Sequence, residues 1–324
     1  MQEHDNIHAF RERLDRHPGG PWYLNGSQYH PDDQVLQLSE PDPQQRWDEP
    51  DSFLRFLDRT SYRQLLWCFI SRNAVEKNRA WSLDALQQRT RLSLEELEEA
   101  LAFCQRQAFA VPSETRQSRE TLFQFLREHP LEGEAPFEPT PEDLDKLAQL
   151  PEKPTVWYSD SSLDHIRTTG PTFEWIIQAL LEKEYQALVR RNVNLSPFFF
   201  FGDVDALAFL PDGRSVLVEC KSSTKNIMDG HLQRFFHKAR LFQPDVAVLL
   251  IDTEDHQQLQ QRELQVPRAF WREYGTWPSF ERLRNLGVTS VMCVQPGVFV
   301  AISGVRLSAT FHFLLHAERY HLFE

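Results

Sequence analysis

No apolar run in this 324-residue chain approaches the length a membrane-crossing helix needs. The first residues, Met1-Gln-Glu-His-Asp-Asn6, are polar and acidic and do not read as a signal peptide. The expectation is a cytoplasmic protein with no membrane partner. Cysteine is scarce: Cys68, Cys104, Cys220 and Cys293 are widely scattered, with no Cys-x-x-Cys. Reduced thiols in a cytosolic protein are the simplest account of that scatter. There is no phosphate-binding glycine loop, no Gly-x-Ser-x-Gly and no internal repeat. His312 and His316 stand four apart, but Phe313 follows His312 where the zincin helix motif has glutamate.

The chain does carry an excess of acid, a net charge of −12. The excess is uneven: residues 1–154 hold 18 Lys and Arg against 28 Asp and Glu, whereas residues 155–324 hold 17 against 19. From Pro130 to Pro154 there are six prolines in 25 residues, which reads as a linker. Within it Thr140-Pro-Glu-Asp-Leu has the cap, the first-turn proline and the acids of a short helix. The expected organisation is a mostly helical domain over 1–129, a linker over 130–154 and a second domain over 155–324. Residues 60–111 read as helix from Tyr62 to Val75, short helix after Ser82, capping box at Ser93 and Glu96, then the apolar Ala108-Phe-Ala-Val111. That outline is winged-helix-like. Its third helix opens with Glu95, Glu96, Glu98 and Glu99, which repel nucleic acid, so a protein-contact role is expected there. Residues 1–58 yield no reading.

Chemistry concentrates in Gly202-Asp-Val-Asp-Ala-Leu-Ala-Phe-Leu-Pro-Asp-Gly-Arg-Ser-Val-Leu-Val-Glu-Cys-Lys221. Ionisable side chains inside aliphatic strands are costly unless paired or holding a metal. Pro211-Asp-Gly213 suits a three-residue hairpin loop with glycine in the left-handed position. That loop pairs Leu210 with Arg214, and counting outward places Asp205 opposite Glu219. Alternation puts Glu219 and Lys221 on one face and Cys220 on the other. Asp205, Glu219 and Lys221 should then converge, with Asp203 alongside. Opposed like charges destabilise a sheet, so a cation between them is the natural resolution.

These residues resemble the PD-(D/E)xK nuclease superfamily, most closely its Mrr-type and Holliday-junction-resolvase-like branches. The likeness covers roughly residues 170–255. The apolar stripe of Phe173, Ile176, Ile177, Leu180 and Leu181 matches the family's opening helix, on which Glu174 stands where that family often has a glutamate. His231 to Phe242 matches its second helix, with Gln233 or Lys238 facing the site, and Val246-Ala-Val-Leu-Leu-Ile251 a buried strand. The resemblance implies an α/β (α+β) fold with a restriction-endonuclease-like αβββαβ core. The sequence departs from the family in having no proline before the first acid. Asp203 and Asp205 therefore both remain candidates, and the hairpin register favours Asp205.

The expected function is a Mg²⁺-dependent (or Mn²⁺-dependent) endonuclease, a hydrolase of phosphodiester bonds with DNA favoured over RNA. Asp205, Glu219, Asp203 and the Cys220 carbonyl are the expected metal ligands. Lys221 is expected to position water or neutralise developing charge, with Glu174 and Gln233 as auxiliary groups. Arg190, Arg191, Lys225, Arg234, Lys238 and Arg240 flank the motif and could meet phosphates. Two rivals stand beside this reading. One is a catalytically inactive nuclease-fold subunit working through a protein partner at the acidic N-terminal domain. The other is a helix-turn-helix regulator. A homodimer is compatible with all three.

Overall fold

The computed structural model describes residues 9–10, 12–14, 16–17, 23–24, 50–70, 80–107, 109–129, 137–159, 169–193, 195–196, 203–222, 227, 229–260, 265–277, 281–285 and 289–317. Gly202, Lys225, Ala108, Val75 and residues 130–136 of the expected linker lie outside these. The chain divides into two compact units, one of Met1–Arg63 with Thr168–Glu324 and one of Gln64–Arg167. This division differs from the expected boundaries at 129 and 154, because long-range pairing draws both flanks of the chain into one unit.

In chain order the described elements begin with β1 (Tyr23–Leu24), α1 (Pro50–Asp58) and α2 (Thr60–Ile70). There follow β2 (Trp81–Ser82), α3 (Leu83–Thr90), α4 (Leu94–Arg106), β3 (Ala110–Pro112), α5 (Arg116–Glu128), α6 (Pro141–Gln149) and β4 (Val156–Ser159). The unit of residues 64–167 is helical with a small antiparallel sheet in the order β2-β4-β3. Local chemistry sets its helix starts. The Ser82 side chain accepts from Ala85 N–H, and capping boxes close at Ser93 with Glu96 and at Thr140 with Asp143. The middle strand β4 comes from residues 156–159, beyond the expected boundary. Trp157 pairs with Trp81 on one side and Pro112 on the other and is buried. Glu95, Glu98 and Glu99 of α4 are exposed.

The other unit holds α7 (Thr169–Tyr185), β5 (Leu188–Val193), β6 (Leu195–Ser196), β7 (Val204–Phe209), β8 (Ser215–Lys221), α8 (Asp229–Phe242) and β9 (Val246–Ile251). After these come α9 (His256–Gln260), α10 (Gln265–Tyr274), β10 (Glu281–Asn285), β11 (Ser290–Gln295), β12 (Val298–Ile302) and α11 (Leu307–Leu315). Its main sheet is mixed and seven-stranded, ordered β10-β11-β12-β9-β8-β7-β5. The β8–β9 and β9–β12 pairs are parallel and the remainder antiparallel. Every residue of β9 and β12 is buried, which is why both read as unbroken apolar runs. The stripe Phe173, Ile176, Ile177, Leu180 and Leu181 on α7 is buried as its spacing predicts. Phe235, Phe236 and Phe242 of α8 pack with Leu207, Phe209, Leu217 and Leu249 of the sheet in one core.

Phe10 and Leu14, from the stretch that gave no reading, belong to that same core. Phe10 meets Phe209 edge-on at 5.2 Å, and the His17 ring stacks on Phe242 at 4.0 Å. A second long-range tie joins α2 to the end of β9. Arg63 Nη2 lies 2.8 Å from Asp252 Oδ1 with both side chains fully buried. Its guanidinium also donates to Thr60 Oγ1 and to the carbonyls of Leu57 and Asp58. Ser303 Oγ donates to the same Asp252 oxygen at 3.0 Å.

The turn between β11 and β12 depends on Gly297, whose φ is +78°. A Cβ there would sit 2.5 Å from the Asp245 carbonyl oxygen, with no flexible side chain to yield. Gly297→Ala is therefore expected to lower stability by about 1–3 kcal/mol, read as a shifted urea midpoint. An unchanged midpoint would contradict the close approach.

Candidate functional site

The hairpin takes the register its turn dictates. Leu210 N–H donates to the Arg214 carbonyl at 2.8 Å, and Gly213 has the left-handed φ of +95°. The strands pair Phe209 with Ser215, Ala208 with Val216, Leu207 with Leu217 and Ala206 with Val218. The next step of that count sets Asp205 against Glu219. At this end the ladder changes character. The Cys220 N–H donates to Asp205 Oδ2 at 2.6 Å, in the place where a continued ladder would put the Val204 carbonyl. A side-chain carboxylate thus closes the hairpin between the two strands.

Two lysines neutralise the carboxylates. Lys238 of α8, buried among Phe235, Ala239 and Phe242, sets its ammonium 2.5 Å from Glu219 Oε1 and also donates to the Asp203 carbonyl. Lys221 stands 3.8 Å from Asp205 Oδ2 and donates to the Cys220 carbonyl at 2.9 Å. The opposed acids of the hairpin are therefore answered by separate ammonium groups, one from β8 and one from α8. Lys238 was foreseen only as a polar residue facing the site or a phosphate contact. Its signal in the sequence is a lysine within the apolar stripe 235, 238, 239, 242 of an otherwise phenylalanine-rich helix. Gln233 is half-buried on α8, and no hydrogen bond among the described residues joins it to the cluster. Asp203 sits just before β7 and is exposed, whereas Asp205 is largely buried, which favours Asp205 as the central acid.

Glu174 of α7 approaches from the opening helix. Its Oε2 is buried and has no hydrogen-bond partner. Burial first, and then the Asp205 charge, push the Glu174 carboxyl up to about 8. Burial and Asp205 likewise push Glu219 up to about 7, against the opposing pull of Lys238. Asp205 is raised chiefly by burial, with Lys221 pulling the other way. Arg191 of β5, whose Nε donates to Gln178 Oε1 at 2.6 Å, opposes the rise at Glu174. Glu174, Asp203, Asp205 and Glu219 against Lys221, Lys238 and Arg191 leave an uncompensated negative charge when all are ionised.

That surplus has a pH signature. Unfolded glutamates titrate near 4.5, so between about pH 4.5 and 8 the folded chain holds protons that the unfolded chain has lost. Stability present below this window is lost as pH rises through it. The metal-free melting temperature is expected to fall from pH 5 to pH 8, and Glu174→Gln to flatten that fall. A Glu174→Gln curve as steep as the wild-type one over the interval would show that Glu174 does not contribute to the fall.

The cluster suits a hard divalent cation in charge and donor type. It offers carboxylate oxygens, an orphaned buried Oε2 on Glu174 and a backbone carbonyl at Cys220. Among the described residues no group of three or more His, Cys, Asp or Glu side chains is already set to hold a metal ion. The four cysteines are all buried. Among the described residues no helix is long and apolar enough to cross a membrane. No family model matches the chain, and no curated protein or solved structure matches it either. The likeness to the nuclease superfamily thus rests on residues and their arrangement alone.

Proposed function

We propose that this chain is a metal-dependent nuclease of the PD-(D/E)xK kind, acting on phosphodiester bonds of DNA. Its restriction-endonuclease-like core would be α7, β5, β7, β8, α8 and β9. One observation carries the reading: three largely buried carboxylates, Glu174, Asp205 and Glu219, gather at a hairpin end beside Lys221. Burying acids together without full compensation costs stability, and a fold retains such a cost at functional sites. Asp205 and Glu219 would hold Mg²⁺ or Mn²⁺, with the Cys220 carbonyl, Asp203 and Glu174 as further donors. The ion, when bound, supplies a water of lowered pKa and charge stabilisation at the phosphoryl group. The protein's own part is to orient and to neutralise. Lys221, tethered to the Cys220 carbonyl, keeps an ammonium where negative charge develops on the phosphate. Glu174, whose carboxyl burial and the Asp205 charge push up in the metal-free site, can carry a proton at the site's edge until an ion binds.

A second reading is favoured by one contact. The Lys238 ammonium already sits on Glu219, as it would in a silent nuclease-fold subunit where lysine stands in for the cation. Such a subunit would act through a partner at the acidic helical unit, whose exposed Glu95, Glu98 and Glu99 disfavour a DNA-reading role for α4. Purified full-length chain incubated with linear, circular, single-stranded and branched DNA, with Mg²⁺, Mn²⁺ or chelator, separates the two. Metal-dependent cleavage supports the nuclease. Failure on every substrate with either ion, by folded protein, rejects it in favour of the silent subunit.

A further inference from the structure

Away from the carboxylates, α10 and the residues just after it carry an exposed aromatic pair. Trp271 is 47% exposed and Trp277 65%, whereas Trp67, Trp81 and Trp157 are all buried. The two rings lie within 26° of parallel with centroids 6.2 Å apart. Large, exposed, near-parallel indoles are costly to leave in water and present flat π faces. The charge around them is opposite to that of the chain as a whole. Arg268 lies one turn before Trp271 on α10, and Arg272 follows it. On the packed helix α8, Arg234 and Arg240 are exposed. The acids here are already answered. Glu273 accepts from His237 and from Arg240 at 2.8 and 2.7 Å, and Asp229 lies 3.7 Å from Arg272. Among the described residues no carboxylate pairs with Arg234 or Arg268. A basic, tryptophan-bearing face on a chain of net charge −12 calls for an anionic partner with flat faces.

We propose that Trp271 and Trp277, with Arg268, Arg272, Arg234 and Arg240, form a stacking platform for single-stranded nucleic acid. The inference rests on the nucleic-acid reading above but not on cleavage. Single strands fit and duplexes do not, because only unstacked bases offer a face to an indole while their phosphates meet arginine. The platform gives the chain a preference for substrates with an unpaired segment, such as ends, flaps or branch points.

The test is a chelator-buffered titration of the full chain with a labelled oligothymidylate and with a duplex of equal length. Expected are single-strand binding that quenches tryptophan emission and weakens with salt, and duplex binding that is much weaker. Trp271→Leu and Trp277→Leu should each lose about tenfold in single-strand affinity, with unchanged melting temperature. Trp271→Phe and Trp277→Phe should retain it, since phenylalanine still stacks. Leucine variants that bind like wild type would overturn the platform and leave the nucleic-acid reading standing. Equal binding of duplex and single strand would also overturn it. A wild-type chain that binds no single strand would do the same, and the cleavage panel would then judge the nuclease reading separately. A dimer that the leucine variants convert to monomer would reassign the pair to a contact between two copies of the chain.

Discussion

Arg63→Ala is expected to destabilise the protein by about 3–5 kcal/mol, as an uncompensated buried charge does. The guanidinium and the Asp252 carboxylate are both fully buried, 2.8 Å apart. Removing the arginine takes the buried ion pair from Asp252, and it also withdraws the donors that satisfy the Leu57 and Asp58 carbonyls at the end of α1. Whole-domain stabilities of about 5–15 kcal/mol mean that such a loss consumes much of the margin. The double variant Arg63→Met with Asp252→Leu should cost less than the sum of the two single changes, because neither charge is then left alone. Urea unfolding of the two single variants and the double provides the cycle. Additive losses would show that the two side chains do not act as a pair.

Asp205→Asn and Lys221→Ala should each cut cleavage by about 100–1,000-fold while leaving the fold intact. The two variants part company in metal binding. Asparagine removes a hard anionic donor, so Mg²⁺ affinity should weaken. Loss of the Lys221 ammonium removes a positive charge 3.8 Å from Asp205, so affinity should hold or rise while turnover collapses. The metal-free proteins should differ as well. An asparagine oxygen can still accept the Cys220 N–H, yet it no longer repels Glu174 and Glu219. Asp205→Asn should therefore melt higher than wild type without metal. Calorimetric Mg²⁺ titration, single-turnover cleavage and thermal unfolding read these outcomes. Wild-type rates in both variants would remove the hairpin from the chemistry.

What was legible in the sequence was local. Pro211-Asp-Gly213 fixed a turn, and the turn fixed a register, because strand pairing is counted outward from the loop. Ser82, Ser93 and Thr140 marked helix starts because capping is an exchange between residues three apart. The strand at 246–251 was legible because burial on both faces leaves an unbroken aliphatic run. What stayed hidden depends on partners far along the chain. Phe10 and Leu14 carry too little pattern by themselves to announce a core they share with Phe209 and Phe242. Nothing near Val156–Ser159 says that it will slide between Trp81 and Pro112. The reading of the site was half local in the same sense. The acids and Lys221 follow from hairpin alternation, whereas the Lys238 bond to Glu219 needs the packing of α8 against the sheet.

The splicing of residues 64–167 into the middle of the other unit sets a timetable for the newborn chain. Arg63 leaves the ribosome 189 residues ahead of Asp252. At about 5–20 residues per second, that wait is about 10–40 s. Early in it the inserted segment completes its own strands and helices, while Phe10 still lacks Phe209 and Arg63 still lacks Asp252. The middle of the polypeptide should therefore acquire protection from proteases before either end does. The early apolar residues are the ones a chaperone would meet.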